Sequence, residues 1–173
     1  MHLPVAGGSM DIIYSLKPNS YILDMDVKTT GLECFFPSNT KTMQIEWTED
    51  MKQQEKGYDF ETRYSTVTYR DVEGETHELS VSGSDEEEDE FEEKMKWISF
   101  KTQFFSQTLV ADNPIAVNYM SSQQLENGSG YLKTYKTTFT ADFDTKGVKP
   151  TSFHLYMGPN KFSTLKDNEQ LLL

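Results

Sequence analysis

Apolar and polar residues alternate along much of this chain, and a period of two is the mark of strands with one buried and one wet face. The cleanest run is Tyr21 to Val27, with Tyr21, Leu23, Met25 and Val27 on one side and Asp24 and Asp26 on the other. Met43, Ile45 and Trp47 repeat the pattern, and Tyr64 to Tyr69 has strand chemistry. Tyr131, Tyr135 and Phe139 are set against Leu132, Lys136 and Thr138, and Phe153, Leu155 and Met157 form one face of a last strand. At the start, His2 to Val5 and Met10 to Leu16 flank Ala6-Gly7-Gly8-Ser9, which predicts a hairpin. Lys17-Pro18-Asn19-Ser20 predicts the next turn, because proline pre-sets φ and asparagine tolerates left-handed geometry.

The connections are less regular. Gly31 to Asn39 reads as an irregular link around Cys34. Thr48 to Lys56 lacks β-branched residues after Thr48, and predicts a short helix capped by Thr48 and ended at Gly57. Leu109-Val110-Ala111 reads as a buried strand stopped by Asp112-Asn113-Pro114. Ser121 to Gly130 is polar and is expected to be mobile, Asp142 to Gly147 is a turn, and Lys161 to Lys166 fits one or two helical turns. Eight or so strands joined this way predict an all-β fold, a twisted antiparallel β-sandwich with short connecting helices.

Composition fits that picture. At 173 residues, with 36% hydrophobic and 25% charged, the chain suits one folded domain over residues 1 to 173. Its net charge of −12 argues against phosphate backbones as partners, so no nucleic acid is expected. The charge is concentrated: from Asp85 to Glu93 every residue except Phe91 is acidic. Carboxylates packed so closely repel one another, and residues 82 to 95 are expected to form a solvated acidic loop. One cysteine permits no internal disulfide, and beside Phe35 and Phe36 it reads as a small buried hydrophobe. No run approaches the roughly 18 apolar residues of a membrane helix, and no signal peptide opens the chain.

Candidate chemistry is sparse. His2, His77 and His154 are far apart in sequence, no metal-ligand spacing joins them, and His154 reads as an ordinary surface or interface histidine. The acidic run lacks the spaced ligands and sharp glycine bend of a calcium loop. There is no Gly-x-Ser-x-Gly elbow, no Gly-rich phosphate loop and no histidine near Cys34. No catalytic residue, cofactor or metal is assigned.

Several segments, in order and spacing, resemble one family. They are Gln53-Gln54-Glu55-Lys56-Gly57 with Phe60, Arg63 and Tyr64, then Lys96-Trp97-Ile98-Ser99-Phe100-Lys101 with Gln103-Phe104-Phe105 and Val110-Ala111-Asp112. Next come Ser129-Gly130-Tyr131-Leu132-Lys133 with Tyr135, and Phe143-Asp144 with Gly147. Phe153, Leu155-Tyr156 and Gly158-Pro159-Asn160, followed by Leu165-Lys166, complete the set. Together they resemble the periplasmic domain of YidC-type membrane protein insertases in its Bacteroidetes version.

The resemblance implies a β-supersandwich fold and a parent multi-pass protein of the bacterial inner membrane, with this domain on the periplasmic face. It implies a non-catalytic docking or chaperone-like surface supporting membrane-protein insertion and folding. The implied partners are Sec translocon accessory subunits and nascent membrane proteins, with the membrane reached only through segments outside this chain. Trp97, Phe100, Phe104, Phe105, Tyr131, Phe153, Tyr156, Gly158 and Pro159 are expected to form the structural core of the shared motifs. His2 to Val5 reads as a strand whose preceding neighbours were removed, and both chain ends read as cut points. Among other classes, a carbohydrate-binding sandwich module is the alternative; it rests on fold analogy alone.

Overall fold

The computed structural model describes residues 1–79, 86–89, 91 and 94–168, with only the backbone of 86–89. Eleven strands and two short α-helices lie among them. The strands are β1 (His2–Val5), β2 (Gly8–Leu16), β3 (Ile22–Thr30), β4 (Thr42–Lys52), β5 (Thr66–Asp71) and β6 (Thr76–Glu78). They continue as β7 (Glu86–Asp89), β8 (Lys94–Lys101), β9 (Phe105–Gln124), β10 (Tyr131–Asp142) and β11 (Thr151–Pro159). Helix α1 (Tyr58–Arg63) precedes β5, and α2 (Phe162–Asp167) follows β11. All pairings are antiparallel, and the network is open.

One strand builds both layers. The first half of β9 lies between β11 and β8, in a layer ordered β1-β2-β3-β11-β9-β8-β5-β6. Its second half lies between β10 and β7, in a second layer that ends at β4. The change of layer falls at Asp112-Asn113-Pro114, the residues expected to stop the strand. There the pairing with β8 jumps from Trp97↔Val110 to Met95↔Ile115, so among the described residues these have no ladder partner on that side. A proline costs no ladder bond where no partner exists, and a bulge of this kind turns the strand into the second layer.

Alternation then places the core between the layers. Leu109, Ile98, Phe100, Phe153 and Leu155 face inward from the first layer, and Phe139 and Tyr135 from the second. Trp47 stacks on Phe100 at 3.9 Å, Phe100 meets Tyr135 at 5.3 Å, and Phe139 meets Phe153 edge-on at 6.1 Å. Each such ring contributes roughly 1.5–3 kcal/mol through burial.

Four expectations are corrected. Thr48 to Lys52 is strand, not helix, because these residues pair in sequence with Lys136 to Tyr131 and turn Met51 into the core. Tertiary pairing overrides a weak local helix signal here, and Gly57 caps the start of α1 instead of ending a helix. Residues 121–124, expected to be mobile, complete β9 against β10. Of residues 82 to 95, expected as a solvated loop, the backbone of Glu86–Asp89 pairs with Gln123–Met120, while Lys94 and Met95 open β8. Backbone pairing is indifferent to side-chain charge; Phe91 meets Tyr69 edge-on, and the remainder of that stretch lies outside the described residues. Cys34 is exposed, because its short 3-10 turn (Glu33–Phe35) buries Leu32 instead.

The motif around Gln53–Tyr64 is held by a residue the sequence reading passed over. Glu61 is 1% exposed, and its carboxylate accepts the backbone N–H of Gln54 at 3.1 Å and of Glu55 at 2.9 Å. Its carbonyl accepts the Ser65 hydroxyl at 2.7 Å, and the Ser65 carbonyl accepts the buried Lys133 ammonium at 2.8 Å. Glu61→Ala leaves two buried N–H groups unpaired and is expected to cost about 1–3 kcal/mol, read as a lower urea midpoint. An unchanged midpoint would show that the loop satisfies itself without the carboxylate.

Candidate docking surface

The second layer crosses the first on a diagonal and leaves part of its inner face bare. From Phe139 over Phe153 it runs to Trp47 over Phe100; past Trp47 the Glu49 carboxylate accepts a hydrogen bond from the Gln107 amide, and Met51 turns into the core. Burial raises the Glu49 carboxyl above its usual range, an effect the Gln107 bond partly offsets. Past Gln107, strand alternation carries the same inner face on through Met157 and Phe105, and through Leu23 to Leu16. Leu16 is 66% exposed, Phe105 49% and Met157 46%. Tyr21, whose carbonyl accepts the Met157 N–H at 2.8 Å, turns its ring the other way, toward Tyr156.

This bare apolar strip lies beside an unpaired edge. Among the described residues β4 pairs only with β10, so one side of an eleven-residue strand offers its N–H and C=O groups outward. Met43, Ile45 and Trp47 alternate along it, half-buried and facing the opening between the layers. A long edge is a template for another strand, and Glu46 and Asp50 guard it with charge. An extended segment added here would place alternate side chains over the strip.

The expected core residues divide. Phe100, Phe153 and Tyr156 are fully buried, and Trp97 is half-buried on the outer face of the first layer. Phe104, Phe105 and Tyr131 are exposed, contrary to expectation. Phe104 sits in the tight β8–β9 turn, where the Thr102 N–H meets the Phe105 carbonyl at 2.8 Å, and the second layer does not reach it or Phe105. Tyr131 is turned outward by a bulge between Tyr131↔Lys52 and Lys133↔Met51, which buries Leu132 and Lys133 in succession.

Gly158 and Pro159 end β11, and space rather than conformation requires the glycine. The Tyr156 ring lies over Gly158 and its hydroxyl donates to the Pro159 carbonyl at 2.8 Å. A Cβ at Gly158 would stand 2.7 Å from that hydroxyl and 3.0 Å from the Tyr21 ring. Gly158→Ala is expected to destabilise by about 1–3 kcal/mol, measured by thermal or urea unfolding, and a neutral result would show that both rings yield without cost.

His154 is not an ordinary surface histidine. Its Nδ1 lies 2.7 Å from an Asp24 oxygen on β3, and its Nε2 lies 3.0 Å from an Asp112 oxygen at the β9 corner. Burial pulls its pKa down, but hydrogen bonds to Asp24 and then Asp112, with their negative charges, outweigh burial and leave it above the ordinary value. The protonated ring therefore ties three neighbouring strands. A raised pKa contributes stability that is full below the unfolded value of about 6.5 and lost as pH rises through the folded value. The difference in melting temperature between wild type and His154→Gln is expected to be larger near pH 5.5 than near pH 8.5; a pH-independent difference would overturn that assignment.

No group of three or more His, Cys, Asp or Glu side chains is placed to hold a metal ion among the described residues. No helix of the described residues is long and apolar enough to cross a membrane. The model of a family described as the YidC periplasmic domain matches residues 2–173. Relatives that carry the name membrane protein insertase YidC include those of Phocaeicola vulgatus, 36% identical over 167 residues, and Bacteroides fragilis, 35% identical over 156 residues. These matches cover 96% and 90% of this chain but 27% and 25% of the relatives. A third, from Porphyromonas gingivalis, is 32% identical over 96% of this chain and 26% of its own length. The chain thus spans about a quarter of the length of the curated relatives it matches. An all-β, open antiparallel fold and a family model matched from its second residue to its last show that the chain belongs to the periplasmic domain of the YidC membrane protein insertase family.

Proposed function

We propose that this domain is a non-catalytic docking or chaperone-like surface that supports the insertion and folding of inner-membrane proteins. The observation that carries this reading is the bare apolar strip beside the unpaired edge of β4. A monomeric domain gains nothing by leaving Leu16, Phe105 and Met157 in water when they continue its own core face. An apolar, extended segment of a nascent membrane protein has the two properties the surface asks for: backbone groups for the β4 edge and side chains for the strip. Sec translocon accessory subunits are the second partner that family membership supports.

A photocrosslinking residue at Met157, in the insertase as it sits in the membrane, is expected to capture nascent inner-membrane chains. The same probe at Asp26, on the outer face, is expected to capture none. Leu16→Ser with Met157→Ser is expected to weaken capture roughly tenfold, since each exposed side chain covered on binding contributes about 1 kcal/mol or more. Crosslinks to Sec accessory subunits alone would make the strip a subunit contact. Equal capture at Asp26 would defeat the docking surface, and glycan binding would then be the property to measure.

A further inference from the structure

The outer face of the first layer, turned away from the strip, carries a cavity of about 740 Å³ beneath α2. That size falls within the usual range for small-molecule sites. Its floor is a row of small hydroxyls, Thr68 on β5, Ser99 on β8 and Thr108 on β9, all buried. Ser99 and Thr108 share a hydrogen bond of 2.8 Å across the strands. Large apolar side chains at these positions would let the helix pack flat. Short hydroxyls leave space instead, and Phe162 of α2 stands at the rim, 79% exposed.

Charge distinguishes this cavity from the rest of the molecule. The chain carries −12, yet the cavity is lined by Arg70, Lys101 and Lys166 and by no carboxylate among the described residues. None of the three cations makes an ion pair there among the described residues. Arg70 spends one nitrogen on a long 3.4 Å contact with Thr76, and its buried Nε has no hydrogen-bond partner among the described residues. Trp97, opposite Arg70 in the ladder, adds an aromatic wall. Lys101 lies four residues along β8 from Trp97, about 13 Å at strand rise, so positive charge stands at both ends of the hydroxyl floor.

We propose that this cavity binds a phosphate ester of a small polyol, of the kind found in phospholipid headgroups. A tetrahedral oxyanion presents acceptors in several directions, which suits the cation at one end of the floor, while the polyol runs along the hydroxyls toward the other. The hydroxyl floor matches a polyol, and Phe162 and Leu165 at the rim match an attached apolar chain. The site is separate from the strip, on the opposite face of the same layer, and does not depend on the docking reading.

Calorimetric titrations with glycerol 3-phosphate, with soluble dihexanoyl phosphatidylglycerol, with inorganic phosphate and with glucuronate test it, alongside flotation on phosphatidylglycerol and phosphatidylcholine vesicles. At least one phosphate ester is expected to bind saturably, more tightly than inorganic phosphate or glucuronate. Arg70→Gln and Lys101→Gln are each expected to weaken that binding about tenfold or more, with unfolding midpoints near wild type. Lys166→Gln, on the exposed helix, gives the same reading should a strand variant fail to fold. Binding of the lipid and its vesicles without glycerol 3-phosphate assigns the site to a bilayer source, and the converse assigns it to a free ester. Absence of ester binding, glucuronate or inorganic phosphate binding as tightly, or binding indifferent to all three substitutions overturns the proposal.

Discussion

The fold depends on one strand serving two layers. If β9 ended at Ala111, as its turn-forming residues suggest in isolation, β10 would have no central partner and the second layer no attachment to the first. Continuing through an unpaired corner fixes the crossing of the layers, and the crossing fixes what is covered. Trp47 reaches Phe100 and Phe139 reaches Phe153, whereas Met157 and Phe105 stay exposed. The bare strip is therefore a consequence of topology rather than of a few misplaced apolar residues.

That origin sets what the sequence can reveal. Tyr21 to Val27, the first hairpin and the turn at Asn19, whose φ is +58°, were legible because each depends on neighbours in sequence. Thr48 to Lys52 was not, since its conformation is set by β10, some eighty residues later. Phe100 and Phe105 look alike as strand aromatics, yet one is buried and one exposed. The difference lies in how far the second layer extends, which alternation alone does not encode. Family segments located the motifs for the same reason that they did not sort them: similarity in order and spacing says nothing about which face is covered.

The missed residues share a feature. Glu61 carries no signal in the sequence and His154 reads there as a surface or interface histidine, and each matters through partners from other segments. Gly158 is expected from the sequence as a core residue of the shared motifs, whereas its role in the fold lies in the Tyr156 ring folded back over it.

The first layer thus has two unlike faces at one end. Inward, Leu16, Phe105 and Met157 extend the apolar core into solvent; outward, Arg70, Lys101 and Lys166 surround a floor of hydroxyls. A further contrast lies along the outer face, where Asp24 and Asp112 hold His154 a short distance from that cationic cavity, separated by the buried Tyr156. Opposite charges kept apart on one sheet do not neutralise each other, and doing so forgoes the ion pairs they could have made. Surface pairs contribute little to stability, so the cost of forgoing them is small. What the separation preserves is a group of three cations around one floor on an acidic protein, and charges so placed act on ligands that approach them rather than on the fold.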